Sequence, residues 1–128
     1  ALNPWMSLAL MAAAQHLPLP PPPAPDAPGP FSFGDDTRVR GLLTAAGFAD
    51  VCFEPHHEKL SVGATEDLDR AVDFLVQIGP AGAALREADP ALRPKVVSAI
   101  REALAPYHSA KGVCMDSACW IVTARSGH

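Results

Sequence analysis

The segment RVRGLLTAAGFADVCF, residues 38–53, decides the fold expected for this chain of 128 residues. Its first half places apolar residues at helical spacing, which predicts a helix with one buried face. The sequence offers Asp35 or Asp36 as the cap of this helix and, for its buried face, Val39, Leu42, Leu43 and Ala46. Gly47 then predicts a stop in the left-handed conformation. Apolar and polar residues alternate over residues 51–54, which indicates a strand that Pro55 limits.

The sequence upstream of this segment divides into a helix and a proline-rich stretch. Residues 5–15 carry strong helix formers, with Asn3 as a capping residue and Pro4 at the first helical position. Residues 18–30 hold eight prolines in thirteen positions, so they cannot form a helix or a central strand. We therefore expect an N-terminal helix (1–17), a proline-rich linker (18–34) and a remainder (35–128), together forming a single domain or part of one.

Two helical stripes follow the predicted strand. Thr65 is the expected cap of the first stripe, which ends near Gly79-Pro80 and holds Leu68, Ala71, Val72, Leu75 and Val76. A short helix over residues 81–88 leads to Asp89-Pro90, which is expected to open the second long helix. Its face holds Leu92, Val96, Val97, Ile100 and Leu104, and Pro106 ends it.

A final strand is expected over residues 118–124, after a loop over residues 108–112. This segment is rich in β-branched and aromatic residues. Its apolar run is nearly continuous, which predicts a strand covered on both faces.

Composition excludes several classes of function. The formal net charge is −4 and the pI is about 5.6, so no basic footprint for nucleic acid is present. The apolar run over residues 5–14 is too short to span a bilayer, so no membrane partner is expected. The three cysteines include no CxxC pair, which indicates reduced thiols in a cytoplasmic protein.

Two clusters of polar residues are candidate sites. The FEPHHE run, residues 53–58, contains two histidines whose side chains point to opposite faces of a strand, so we interpret it as a solvated strand end. Cys114 and Cys119 with His108 lack a fourth ligand for zinc, and packing cysteines are the favoured interpretation. No catalytic residue and no metal site are assigned.

The helix, AGF and strand of residues 38–51 resemble the C-terminal part of class I S-adenosylmethionine-dependent methyltransferases. In that family a helix, a sixth strand and an antiparallel seventh strand close the sheet. Asn3-Pro4-Trp5 resembles the stretch just past the fifth strand, and Ala1-Leu2 resembles the trailing end of that strand. Phe31-Ser32-Phe33 resembles the segment that leads to the penultimate helix, and residues 120–125 resemble the last strand. The helices within residues 65–107 would be an insertion. The implied fold is α/β: a mostly helical fragment of a Rossmann-like methyltransferase with at least two strands, the sixth and seventh.

This sequence departs from the family in the region that binds the cofactor. The family holds S-adenosylmethionine on a glycine-rich loop after the first strand, together with an acidic residue after the second. This sequence has no GxGxG motif, and Gly79-Pro80-Ala81-Gly82 is expected to be a helix–helix corner. We assign no cofactor-binding residue and expect no S-adenosylmethionine binding by this chain alone.

The resemblance implies the C-terminal portion of a methyltransferase acting on a small molecule, contributing substrate-side walls and a sheet edge. Trp5, Phe31 and Phe33 are its substrate-pocket candidates, because family segments beyond the strand ends line the pocket. The alternative is a non-catalytic interaction or dimerisation module that retains only this part of the fold. One side of the strand over residues 119–123 would lack partners, which predicts self-association or pairing with a missing N-terminal half.

Overall fold

The computed structural model describes residues 3–127, which form two compact units of a mixed α/β chain. The helical unit comprises residues 3–20 and 58–117, and the α2 unit comprises residues 21–57 and 118–127. The helices are α1 (Pro4–Ala13), α2 (Asp36–Ala45), α3 (Leu68–Gln77), α4 (Gly79–Glu87) and α5 (Arg93–Leu104). The strands are β1 (Phe48–Ser61), β2 (His108–Ser109) and β3 (Gly112–Ser126). Ala1-Leu2, interpreted from the sequence as the end of a fifth strand, lies outside the described residues.

The three strands form an antiparallel sheet in the order β1-β3-β2. The short strand β2 joins β3 at only two positions, His108 opposite Val113 and Ser109 opposite Gly112. Within β1 and within β3 the chain passes from one unit to the other. Among the described residues, no helix is both long enough and apolar enough to cross a membrane.

The helical unit has one connected apolar core. Its most deeply buried large side chains are Val62, Val72, Val96, Ile100, Leu104, Val113 and Met115. The predicted stripe of α3 is confirmed, because all five of its residues are buried. The predicted face of α5 is confirmed at Val96, Ile100 and Leu104, while Leu92 and Val97 are half-buried against the same core.

The expected cap of α3 is wrong, whereas Asn3 occupies the cap position predicted for α1. The cap of α3 is Asp67, whose Oδ1 accepts from the backbone N–H of Asp69 at 2.8 Å and of Arg70 at 3.3 Å. Thr65 instead accepts from the Asp67 N–H at 3.1 Å, so its hydroxyl fixes the turn before the helix. At α1, the side chain of Asn3 makes no capping hydrogen bond, because its Oδ1 accepts from the indole of Trp5 at 3.3 Å.

The junctions between helices follow the positions of proline. Gly79 and Pro80 open α4 directly after α3, with Gly79 at φ +64°, which confirms the interpretation as a helix–helix corner. Asp89 caps only a single 3₁₀ turn, Pro90–Leu92, and α5 begins at Arg93. Pro94 therefore lies in the first turn, where its missing N–H has no helical acceptor to lose.

Both long strands extend beyond their predicted limits. β1 continues through Pro55 to Ser61, because β1 is an edge strand and an edge tolerates a residue without an N–H. β3 begins at Gly112, six residues before the predicted start, and β2 occupies part of the expected loop. Residues 18–34 form no helix or strand, as predicted for the linker, and Leu19 within it packs partly buried against the helical core.

The α2 unit buries few apolar side chains. Asp35 caps α2, and Gly47 has φ +97°, so the predicted left-handed stop is confirmed. Of the predicted buried face of α2, only Val39 is buried, whereas Leu42 is 47% exposed. The cover predicted on both faces of β3 is also wrong, since Trp120, Ile121 and Val122 are each more than one third exposed. In the described part of the chain, this unit has no second layer of apolar residues.

Candidate functional site

The three predicted substrate-pocket residues lie in different units. Phe31 and Phe33 belong to one segment of the α2 unit and are 51% and 59% exposed. Trp5 lies on α1 of the helical unit, where it is half-buried against the core. The structure thus brings Phe31 and Phe33 together in one exposed segment, while Trp5 serves partly in packing.

The segment that carries these phenylalanines is held in place by two contacts. Arg38 of α2 donates from Nη1 to the Ser32 carbonyl at 3.0 Å, and its guanidinium lies 5.9 Å from the centroid of the Phe33 ring. Trp120 of β3 donates from its indole nitrogen to the Gly34 carbonyl at 3.3 Å. The segment is therefore fixed against both α2 and β3.

A second set of contacts joins α2 to the strands. The Arg40 guanidinium lies 5.0 Å from the Phe53 ring centroid, and its Nη1 donates to the Val51 carbonyl. Phe53 and Trp120 meet edge to face, with ring centroids 5.8 Å apart. We name the set Phe33, Arg38, Arg40, Phe53 and Trp120 the aromatic–arginine cluster.

The aromatic–arginine cluster offers a surface for binding but no group for acid–base chemistry. Each arginine lies near an aromatic ring in the arrangement of a cation–π contact and also donates to a backbone carbonyl. No histidine, cysteine, aspartate or glutamate belongs to it. Such a cluster can form the wall of a pocket and orient an apolar or planar ligand.

Sequence reasoning missed four of the five cluster residues as site residues. Only Phe33 was a candidate, whereas Trp120 was expected simply as part of a covered strand. The available signal was the pair Arg38 and Arg40 beside aromatic segments. That signal does not identify the partner rings, because the contacts depend on which strands lie next to each other.

The two candidate clusters do not assemble into a metal or catalytic site in the described part of the chain. Among residues 3–127, no group of three histidine, cysteine or acidic side chains could hold a metal ion. The His108 ring nitrogen lies 2.9 Å from the Glu66 carbonyl oxygen, so it is engaged with backbone. Cys119 is exposed and Cys114 only half-buried, so the interpretation as packing cysteines is wrong for Cys119. Within the FEPHHE run, His56 and His57 are exposed as expected, but the run lies inside β1, which continues to Ser61, so the interpretation as a strand end is wrong.

A second concave feature lies in the helical unit. It is a groove of about 760 Å³ between the start of the proline-rich stretch and the α4–α5 region. Its lining residues are Pro18, Leu19, Pro20, Ala83, Ala84, Glu87, Ala88, Asp89 and Leu92. The carboxylate of Asp89 already accepts from the Ala91 N–H at 2.9 Å, so it is occupied as a cap. Small apolar side chains dominate the lining of the groove, and no catalytic arrangement of side chains is evident in it.

Comparison with known proteins gives no relative on which a function could rest. No family model, no curated protein and no solved structure matches this chain. The functional argument therefore depends on the residues and their arrangement.

Proposed function

We propose that this chain is the C-terminal portion of a class I S-adenosylmethionine-dependent methyltransferase that acts on a small molecule. The observation that carries the proposal is the order of α2, the Gly47 stop, β1 and an antiparallel neighbour β3. This order agrees with the penultimate helix, sixth strand and seventh strand to which residues 38–51 and 120–125 are similar. The helices between β1 and β3 agree with an insertion at that place.

The exposed apolar side chains of the α2 unit give separate support. Most of the large apolar residues that remain exposed lie there: Phe31, Phe33, Leu42, Phe48, Trp120, Ile121 and Val122. Among the described residues of this unit, Val39 and Val51 are the only buried apolar ones. Several large apolar side chains exposed within one small unit support a surface that another layer covers. A missing part of a larger domain would supply that layer.

The described residues do not fit the cofactor. The nearest glycine segment joins α3 to α4, and a Cβ at Gly82 would lie 2.8 Å from the backbone carbon of Gln77. Gly82 is therefore required for close packing between two helices and not for approach to a ligand. In the proposal, residues outside this chain hold S-adenosylmethionine, and this chain holds the substrate.

The contribution of this chain would be positioning. Phe31 and Phe33 would line the substrate side of the pocket, and the aromatic–arginine cluster would fix their segment. Trp5 is the third proposed wall residue. A pocket of this kind accelerates a reaction by holding the reacting atoms in place. The proposal includes a cytoplasmic location, where the free thiols of Cys52, Cys114 and Cys119 would persist.

A second candidate is a non-catalytic interaction or dimerisation module. The same exposed residues favour it, because a partner protein could cover them equally well. Reading the coding sequence upstream of Ala1 separates the two. A strand followed by GxGxG and, after the next strand, an acidic residue supports the methyltransferase. An upstream sequence without that pattern, in a protein without methyl transfer from labelled S-adenosylmethionine to small-molecule acceptors, overturns it.

A further inference from the structure

The two arginines of the aromatic–arginine cluster carry charges that no carboxylate balances in the described part of the chain. Arg38 is half-buried and Arg40 is exposed, and neither makes an ion pair with a residue in the range 3–127, whereas Arg125 of the same unit contacts Asp50. Each of the two is held instead by one backbone carbonyl and one aromatic ring. The α2 unit therefore contains two cations that are fixed in place but not neutralised.

The way in which Arg38 is held leaves its better anion-binding edge available. Its hydrogen bond to the Ser32 carbonyl uses Nη1, so the edge formed by Nε and Nη2 has no acceptor among residues 3–127. A guanidinium is planar and rigid, and this edge presents two parallel N–H groups that match the two oxygens of a carboxylate. Because the Ser32 contact already restricts the side chain, less conformational freedom is lost when an anion binds.

Exposed aromatic rings lie next to this guanidinium. The Phe33 ring is 5.9 Å from it and is 59% exposed, and Phe31 belongs to the same turn, which the Gly34 N–H closes by donating to the Phe31 carbonyl at 3.0 Å. The indole of Trp120 donates to the Gly34 carbonyl, so a third ring lies beside this turn. Aromatic faces of this kind stack against a planar ring. An anion receptor and a surface for a flat apolar body are thus adjacent.

We propose that the small molecule bound by this chain is an aromatic acid, with its carboxylate on the Nε–Nη2 edge of Arg38 and its ring against Phe33. The inference rests on the proposed function, because it names the substrate class of the pocket that Phe31 and Phe33 would line. The chain as a whole has a formal net charge of −4, so it repels anions in general. Binding of an anion therefore reports a local site and not the overall charge.

Two probes of the same shape test the preference for an acid. The ¹⁵N-labelled chain is titrated with benzoate and with benzamide, and the Nε–H resonance of Arg38 is followed by NMR. Benzoate is expected to shift this resonance saturably, and benzamide is expected to bind about tenfold more weakly or worse, because a neutral amide lacks the charge-assisted pair of hydrogen bonds. No response to benzoate, or equal affinities for the two probes, overturns the proposal.

Substitution of Arg38 separates recognition from a structural effect. Arg38→Gln is expected to weaken benzoate binding about tenfold and to leave benzamide binding nearly unchanged, so that the preference between the two probes disappears. A purely structural loss would weaken both probes equally and would contradict the proposal. Arg93→Gln in the helical unit is the matched control, since Arg93 is exposed and makes no ion pair among residues 3–127, and it should keep the preference for benzoate.

The same titration on the longer protein that includes the upstream coding region separates this inference from the proposed function. A longer protein that transfers methyl groups but does not prefer benzoate to benzamide, as when a carboxylate outside this chain pairs with Arg38, overturns the acid site and leaves the methyltransferase standing. A preference for benzoate that depends on Arg38, in a protein without methyl transfer, supports the acid site and overturns the methyltransferase.

Discussion

At the scale of single residues, two glycines six positions apart serve different purposes. Gly41 lies inside α2 and has ordinary helical geometry, whereas Gly47 has φ +97° and ends the turn into β1. A Cβ at either position would meet no atom within 4 Å. Space is therefore equal at the two sites, and only the backbone conformation differs. The sequence predicted the role of Gly47 because a glycine between a helical and an alternating pattern has few other uses.

Alanine at these two positions is expected to have opposite effects. Gly47→Ala should lower the free energy of unfolding by about 1 kcal/mol, because a Cβ is disfavoured in the left-handed region. Gly41→Ala should raise it by about 0.5–1 kcal/mol, because alanine is the better helix former. Urea unfolding monitored by Trp120 fluorescence, in a Trp5→Phe background, measures the α2 unit. Equal effects of the two substitutions would contradict this assignment.

The cap of α3 gives a second prediction at this scale. Asp67→Ala should cost about 1 kcal/mol of stability, because the N–H groups of Asp69 and Arg70 lose their acceptor. Glu66→Ala is the control, since the exposed Glu66 side chain makes no described capping bond, and it should change stability little. Thermal unfolding of both variants checks the difference. A larger loss in the Glu66 variant would show that Asp67 is not the cap.

At the scale of elements, periodicity predicted helices better than it predicted strand limits. The stripes of α3 and α5 were predictable because a repeat of three and four residues specifies which face is buried. Pro55 was expected to end β1 because a central strand cannot accommodate it, and the edge position of β1 is not visible in the sequence. The early start of β3 was missed because the alternation that includes Val113 and Met115 is short. It lies between the predicted loop and the charged Asp116.

Leucine truncation compares the helices of the two units. Leu104→Ala on α5 should cost about 2–5 kcal/mol, since this fully buried side chain leaves a cavity. Leu42→Ala on α2 removes the same atoms from a side chain that is 47% exposed, and it should cost less than about 1 kcal/mol. Chemical denaturation of the isolated chain gives both values. A loss at Leu42 as large as that at Leu104 would mean that the α2 face is covered in solution.

At the scale of the whole molecule, the two units differ in how completely each is packed. The helical unit has a connected core, whereas the α2 unit leaves large apolar side chains exposed. This contrast could not be predicted, because the segments of both units carry similar apolar patterns in the sequence, whether the side chains are buried or exposed in the structure. The aromatic–arginine cluster also escaped prediction, since Trp120 and Phe53 meet only through the pairing of β1 with β3. Phe31 and Phe33 were identified from position alone, and their role as substrate residues stays a prediction.

Exchange of the wall residues tests that role in the complete enzyme that the proposal requires. Phe33→Ala should raise KM for the substrate while leaving the affinity for S-adenosylmethionine unchanged, because the proposed wall contacts only the substrate. Pro23→Ala, in the exposed proline-rich stretch, is the control and should change neither value. A Phe33 variant with wild-type KM would remove Phe33 from the pocket.

Calorimetric titration with S-adenosylmethionine tests the central claim most directly. It is made on this chain and on the longer protein that includes the upstream coding region. The account predicts no measurable micromolar binding to the chain alone, because it has no glycine loop that approaches a ligand, and saturable binding to the longer protein. Micromolar binding to the chain alone, or its absence in the longer protein, would contradict the account.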